Sequence, residues 1–273
     1  MKFKALTLSL LATASLGLAT PTFADGHGAH SAEAFDHSHR SDKNKLRDEF
    51  RKPFQTLAFF GVKPDSKVVE IMPGGGWYTE ILAPMLKDKG TFVAAHYSKD
   101  NKSEYRARSR NNYDKKLADN AAVYGNVQVV DFGTDLPVAE GAKDADVVLT
   151  FRGLHGLQNS NQLGVAFAQY NEMLKKGGKL GIVQHQAPEG FDPVATARKG
   201  YLPKSYVISV AKAHGFKLVA EAYFHNNPKD NVIRDNLEWG VWSLPPSLRD
   251  EANAEKLKKV GESNRMTLLF EKI

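Results

Sequence analysis

From Lys67 to His185 the chain alternates short apolar runs with longer helix-patterned stretches, and this rhythm restricts the fold more than any other feature. Strands read as Lys67 to Met72, Thr91 to His96, Val127 to Asp131, Asp146 to Phe151 and Lys179 to His185. Helices read as Trp77 to Leu86, Lys102 to Asn120 and Gln162 to Leu174, the last ended by Gly177-Gly178. Strands joined through helices need crossover connections, so they predict an α/β fold, a mainly parallel sheet with helices on both faces. Pro203 to His214, stopped by Gly215, adds a helix. Phe216 to Phe224 and Met266 to Phe270 are strand-like with no helix required between them, which predicts a C-terminal antiparallel hairpin. Its long insertion, 226–264, is a candidate lid or substrate wall. Upstream, Leu46, Phe50, Phe54, Leu57 and Ala58 recur mostly at three- and four-residue steps, predicting one amphipathic helix over Lys43 to Phe60.

The first strand carries the chemistry-bearing turn. Val68 to Ile71 is a buried-strand run containing the acid Glu70, and Gly74-Gly75-Gly76 follow before the first helix. Glycines let backbone approach a ligand with no Cβ in the way, and the helix supplies free N–H groups at its positive end. A dinucleotide-binding Gly-x-Gly-x-x-Gly would need a third glycine at Thr79, where it would let helix and strand pack closely.

The chain opens with Lys2 and Lys4, runs mostly apolar from Ala5 to about Leu18, and places Thr22 and Ala24 before Asp25. That order reads as a signal peptide over 1–24, with a periplasmic or secreted product. Its apolar core is too short to span a bilayer of roughly 30 Å, so no membrane anchor is expected after cleavage. Residues 25–41 hold His27, His30, His37 and His39 among small and acidic residues, and read as a flexible tail or as a metal-binding tract. The rest, 42–273, reads as one domain. The chain has no cysteine, which excludes disulfides and thiolate chemistry. Its formal charge of +6 is spread without an Arg/Lys stripe, so no nucleic-acid partner is expected.

With the glycine turn, Asp131 after the third strand, Asp146 to Arg152 as the fourth, and Leu174-Lys175-Lys176-Gly177-Gly178-Lys179-Leu180 entering the fifth, the chain resembles the class I S-adenosylmethionine-dependent methyltransferases, and within them a group of exported members. The resemblance implies a Rossmann-like methyltransferase sheet and S-adenosylmethionine as cofactor. Glu70, Gly74 and Gly76 would approach its methionine part, and Asp131 and Phe132 its adenine. Two positions depart from the family pattern. Met72 stands where the first turn glycine is usual, and His96 where an acid binds the ribose hydroxyls.

His96, His155 and His185 follow the second, fourth and fifth strands, and ligands of open α/β sheets bind at those ends. A neutral imidazole there would accept the proton of a nucleophile attacking the methyl group, which makes His155 and His185 the catalytic candidates. Either is equally a polar cap bonded to backbone. No third ligand accompanies the pair, so no metal site is assigned. Trp77 and Tyr78 are candidate pocket walls, and Arg152 would hold a carboxylate or pair with an acid such as Asp131. The reading that unites these features is an exported methyltransferase with a small-molecule substrate. The alternative is a non-catalytic cofactor-binding or metal-handling protein on the same fold.

Overall fold

The computed structural model describes residues 35–230 and 260–273. The leader, His27, His30 and most of the insertion lie outside the described residues. Among the described residues eight strands form one sheet: β1 (Lys67–Ile71), β2 (Thr91–His96), β3 (Gln128–Asp131), β4 (Ala145–Phe151), β5 (Leu174–Ala187), the two-residue β6 (Leu202–Pro203), β7 (Phe216–Ala222) and β8 (Arg265–Lys272). Their order is β3-β2-β1-β4-β5-β8-β7, with β6 beside β5. The pairs from β3 to β5 are parallel, whereas β8 runs antiparallel to both β5 and β7. The expected C-terminal hairpin is therefore present, and β8 fills the gap between β5 and β7.

Side chains leave alternate faces of a strand, and the two faces carry separate cores. Val69, Ile71, Val148, Leu180 and Ile182 pack beneath α7 (Leu154–Asn159), α8 (Leu163–Met173) and α10 (Lys204–Ala213). On the other face Val68, Val147, Leu149 and Val183 meet α3 (Pro53–Phe59) and α4 (Thr79–Leu86). Each such side chain stabilises by about 1.5–3 kcal/mol when fully buried. Gly181 lets the sheet touch α3, since a Cβ there would lie 2.6 Å from the Phe60 ring.

Three local expectations are corrected. The single helix over Lys43 to Phe60 is three short ones: α1 (Asp42–Lys45), α2 (Asp48–Arg51) and α3. Lys52, between α2 and α3, takes a left-handed φ of 40°, and Pro53 opens α3, where its missing N–H costs no intrahelical bond. Gly177-Gly178 does not end α8, which already stops at Met173. The pair instead serves a bulge in β5, where Leu174 faces Ala145 and Lys179 faces Val147. A Cβ on Gly178 would lie 2.8 Å from the Lys175 carbonyl. The first helix begins at Thr79 rather than Trp77, leaving residues 73–78 as a turn.

Residues 35–41, the described end of the expected flexible tail, have an ordered role. Pro84 inside α4 lacks an N–H, so the Glu80 carbonyl four residues back has no intrahelical donor. The His39 Nε2–H supplies one from outside at 2.8 Å. Arg40 is buried beside it, paired with Asp48 at 2.7 Å and near Glu80 at 3.5 Å.

Candidate active site

β1 and β4 leave the sheet in the same unusual way. Met72 and Arg152 follow them with φ of 49° and 58°, while their N–H groups still bond Ala95 and Val183 carbonyls at 2.8 and 2.7 Å. Left-handed backbone costs a non-glycine residue about 1–2 kcal/mol, and such strain collects at ligand sites. The two exits adjoin, for a Cβ on Gly153 would lie 3.0 Å from Met72 Cε.

After Met72, the Gly76 N–H closes a turn on the Pro73 carbonyl at 3.0 Å. The glycines of that turn serve different ends. A Cβ on Gly74 or Gly75 would meet nothing within 4 Å, whereas one on Gly76 would lie 2.9 Å from the Tyr113 ring. Gly74 and Gly75 thus face open space, and Gly76 lets the turn pack on α5 (Glu104–Asp119).

The turn borders a cleft of about 1200 Å³ at the carboxyl ends of the parallel strands, lined by Glu70, Gly74, Tyr97, Phe132, Arg152, His155 and His185 among others. Pockets for one small ligand hold roughly 300–1,000 Å³, so there is room for two. Tyr78 stacks on Phe151 at 3.7 Å to form one wall. Trp77 also lines the cleft, with the Arg51 guanidinium 4.5 Å from its ring centre.

Of the residues expected at the site, Glu70, Gly74, Phe132, His155 and His185 line this cleft, while Gly76, His96 and Asp131 do not. His96 is fully buried behind the glycine turn, its Nε2 bonded to the Gly74 carbonyl at 3.2 Å. Tyr97, the next residue, faces the cleft instead. Asp131 accepts from Arg110 at 2.6 Å, so the considered pairing with Arg152 is not formed. Arg110 also bonds Asp114 and the Tyr97 carbonyl, both at 2.9 Å.

Glu70 is 3 % exposed, and its Oε2 has no hydrogen-bond partner among the described residues. Burial pushes its carboxyl up to about 8, outweighing the nearby charges of Arg152 and Lys116. At neutral pH it is mostly a neutral acid.

Each of the two histidines expected as proton acceptors has a side-chain partner at Nδ1. Gln184 Oε1 accepts the Leu154 N–H at 3.2 Å and its amide nitrogen donates to the Gly200 carbonyl at 3.0 Å. That orientation places an amide N–H 3.3 Å from His155 Nδ1. The Nδ1 lone pair is thereby engaged, and the neutral ring carries its hydrogen on Nε2. In that tautomer His155 offers the cleft a donor. His185 Nδ1 meets Ser263 Oγ at 2.5 Å. Burial lowers both imidazoles, His185 well below the ordinary range, with Arg265 adding to the effect on His185 and Arg152 to that on both.

Four arginines gather behind these rings. Glu262 accepts from Arg47 at 2.5 Å, from Arg51 at 3.2 Å, and from Arg265. Burial alone would raise this carboxyl, but Arg265, Arg51, Arg152 and Arg47 together hold it at about 2. Sequence reading missed Glu262 and its three partners, since Arg47 and Arg51 lie 215 and 211 residues away with no local pattern to join them. Of the histidine tract, His37 and His39 are described. His37 packs on Phe54 at 5.2 Å, and no three His, Asp or Glu side chains among the described residues converge as metal ligands.

No family model and no curated protein sequence matches the chain. Solved structures do resemble it. A SAM-dependent methyltransferase from Aquifex aeolicus superposes with a TM-score of 0.53 at 17% identity, over 88% of this chain and 100% of that one. The N-methyltransferase NodS from Bradyrhizobium japonicum WM9, in complex with S-adenosyl-L-homocysteine, gives 0.52 at 14% identity, over 85% of this chain and 89% of its own. The cyclase SpnF gives 0.50 at 12% identity, over 81% and 80%. The shared fold is the Rossmann-like methyltransferase sheet, with its antiparallel C-terminal strand pair.

Proposed function

We propose that this chain is an exported S-adenosylmethionine-dependent methyltransferase acting on a small molecule. The observation that carries the reading is the cradle at the end of β1. There Gly74 and Gly75 leave open space in the cleft that Glu70 also lines, and the Glu70 Oε2 is buried and lacks a partner among the described residues. A cationic amino-acid moiety fits that pair, because a charge nearby draws the proton from Glu70 and gives Oε2 a partner. The Phe132 ring offers a face for a base, and Tyr97 a hydroxyl in place of the usual acid. The named relatives of this fold, including NodS bound to S-adenosyl-L-homocysteine, support the choice of cofactor.

When bound, the cofactor supplies an electrophilic methyl group on sulfonium. The residues of the chain contribute position: the glycine turn sets backbone against one ligand, and the Tyr78–Phe151 wall and His155 Nε2–H face the other. Holding two reactants aligned in a cleft lowers a bimolecular barrier by several kcal/mol without a proton-transfer residue. Export rests on the leader, and the N-terminal mass of the secreted chain checks it. Calorimetry tests the function directly: S-adenosylmethionine should give binding heat with the mature chain, and Gly74→Asp, which projects a side chain into the cradle at φ 59°, should abolish it. No heat with wild type at millimolar cofactor sinks the proposal.

A further inference from the structure

The methyl-transfer reading leaves the chemistry of Arg152 unused. Its backbone is held at φ 58° after β4, and its side chain lines the cleft. The nearest acid of the arginine cluster is already shared: Glu262 accepts from Arg47, Arg51 and Arg265. Among the described residues the Arg152 guanidinium has no hydrogen-bond or ion-pair partner. A guanidinium carries five donors in a planar fork that matches a carboxylate, so leaving it unpaired in a partly buried site is unfavourable.

A second donor stands near it. The Gln184 amide engages His155 Nδ1, which leaves Nε2–H without a partner among the described residues. Arg152, His155 and Tyr78 all line the cleft, and Tyr78 stacks on Phe151, the residue before Arg152.

We infer that this end of the cleft binds the carboxylate of a small, planar apolar acid, with the Arg152 fork and His155 Nε2–H as donors and the Tyr78–Phe151 wall against its ring. A monoanion suits one unpaired guanidinium and one neutral donor better than a dianion does. As a statement of substrate class this rests on the methyl-transfer reading, whereas the anion site itself is tested apart from it.

Benzoate serves as probe, with phenyl phosphate and the neutral isostere benzamide as comparisons, each titrated calorimetrically into the purified mature chain with and without S-adenosylhomocysteine. Benzoate should bind at least tenfold more tightly than benzamide. Arg152→Gln should erase that preference while keeping the circular dichroism spectrum and Tm of wild type, and Arg152→Lys should retain part of it. A charge-assisted hydrogen bond lost to Gln is worth a drop of about tenfold or more. Equal binding of benzoate and benzamide by wild type, or no benzoate binding at millimolar concentration, overturns the inference without any variant. Undiminished preference in Arg152→Gln overturns the role of that residue, and tighter phenyl phosphate overturns the carboxylate assignment. Heat from S-adenosylhomocysteine with no benzoate preference sinks the anion site alone. Arg152-dependent benzoate binding with no heat from S-adenosylhomocysteine sinks methyl transfer and leaves the anion site standing.

Discussion

Replacing Glu70 by Gln tests the electrostatics of the cradle through folding stability. In the native chain the carboxyl titrates at about 8 against an ordinary 4.5, chiefly because burial removes its hydration. A folded-state value above the unfolded one means that the native protein holds the proton longer. Below about pH 4.5 both states are protonated and the group contributes nothing adverse. As pH rises from 4.5 to 8 the unfolded chain releases its proton first, so stability falls by about 1.4 kcal/mol per pH unit, and it is flat above 8. The whole interval corresponds to about 5 kcal/mol, a large share of the 5–15 kcal/mol that holds a typical domain together. Gln has nearly the shape of the neutral acid and cannot ionise. Urea denaturation of both proteins from pH 4 to 9 should therefore give curves that nearly coincide at pH 4 and separate steadily, Glu70→Gln becoming the more stable. Contributions from other titrating groups cancel in the difference. A gap that stays constant across this range refutes the argument.

The same carboxyl predicts that a cationic cofactor binds with proton release at pH 7, and more tightly as pH rises toward 8. Calorimetry in buffers of unlike ionisation enthalpy measures the proton, and buffer-independent heats would count against it. Glu262→Gln should destabilise by about 3–5 kcal/mol at pH 7, since it removes the charge that three buried arginines share. Because Glu262 is held at about 2, its stabilisation is complete above 4.5 and is lost as pH falls toward 2, so the two denaturation midpoints should converge in acid. His39→Ala leaves the Glu80 carbonyl without its donor and should lower stability by about 1–2 kcal/mol. An unchanged midpoint for that variant would mean that water replaces the imidazole.

Strand positions were the most legible part of the structure. Thr91 to His96 is a strand with the expected ends, and the fourth strand differs only in starting at Ala145. Central parallel strands are buried on both faces, so they are written as continuous apolar runs that need no knowledge of their neighbours. Helix ends were less legible where a proline or a bulge intervened, as at Lys52-Pro53 and Gly177-Gly178.

The candidate site divides along a similar line. The chain order of strands and glycines was enough to bring Glu70, Gly74, Phe132, His155 and His185 to one cleft, because successive parallel strands expose their carboxyl ends on the same side. Which side chain is free there depended on partners far along the chain. Arg110 took Asp131, Gln184 set the His155 tautomer, and Glu262 drew in Arg47, Arg51 and Arg265 while leaving Arg152 open. Periodicity and turn chemistry act over a few residues, so sequence alone determines elements and their order. Hydrogen bonds and ion pairs across more than two hundred residues depend on three-dimensional proximity, and only the tertiary structure decided them.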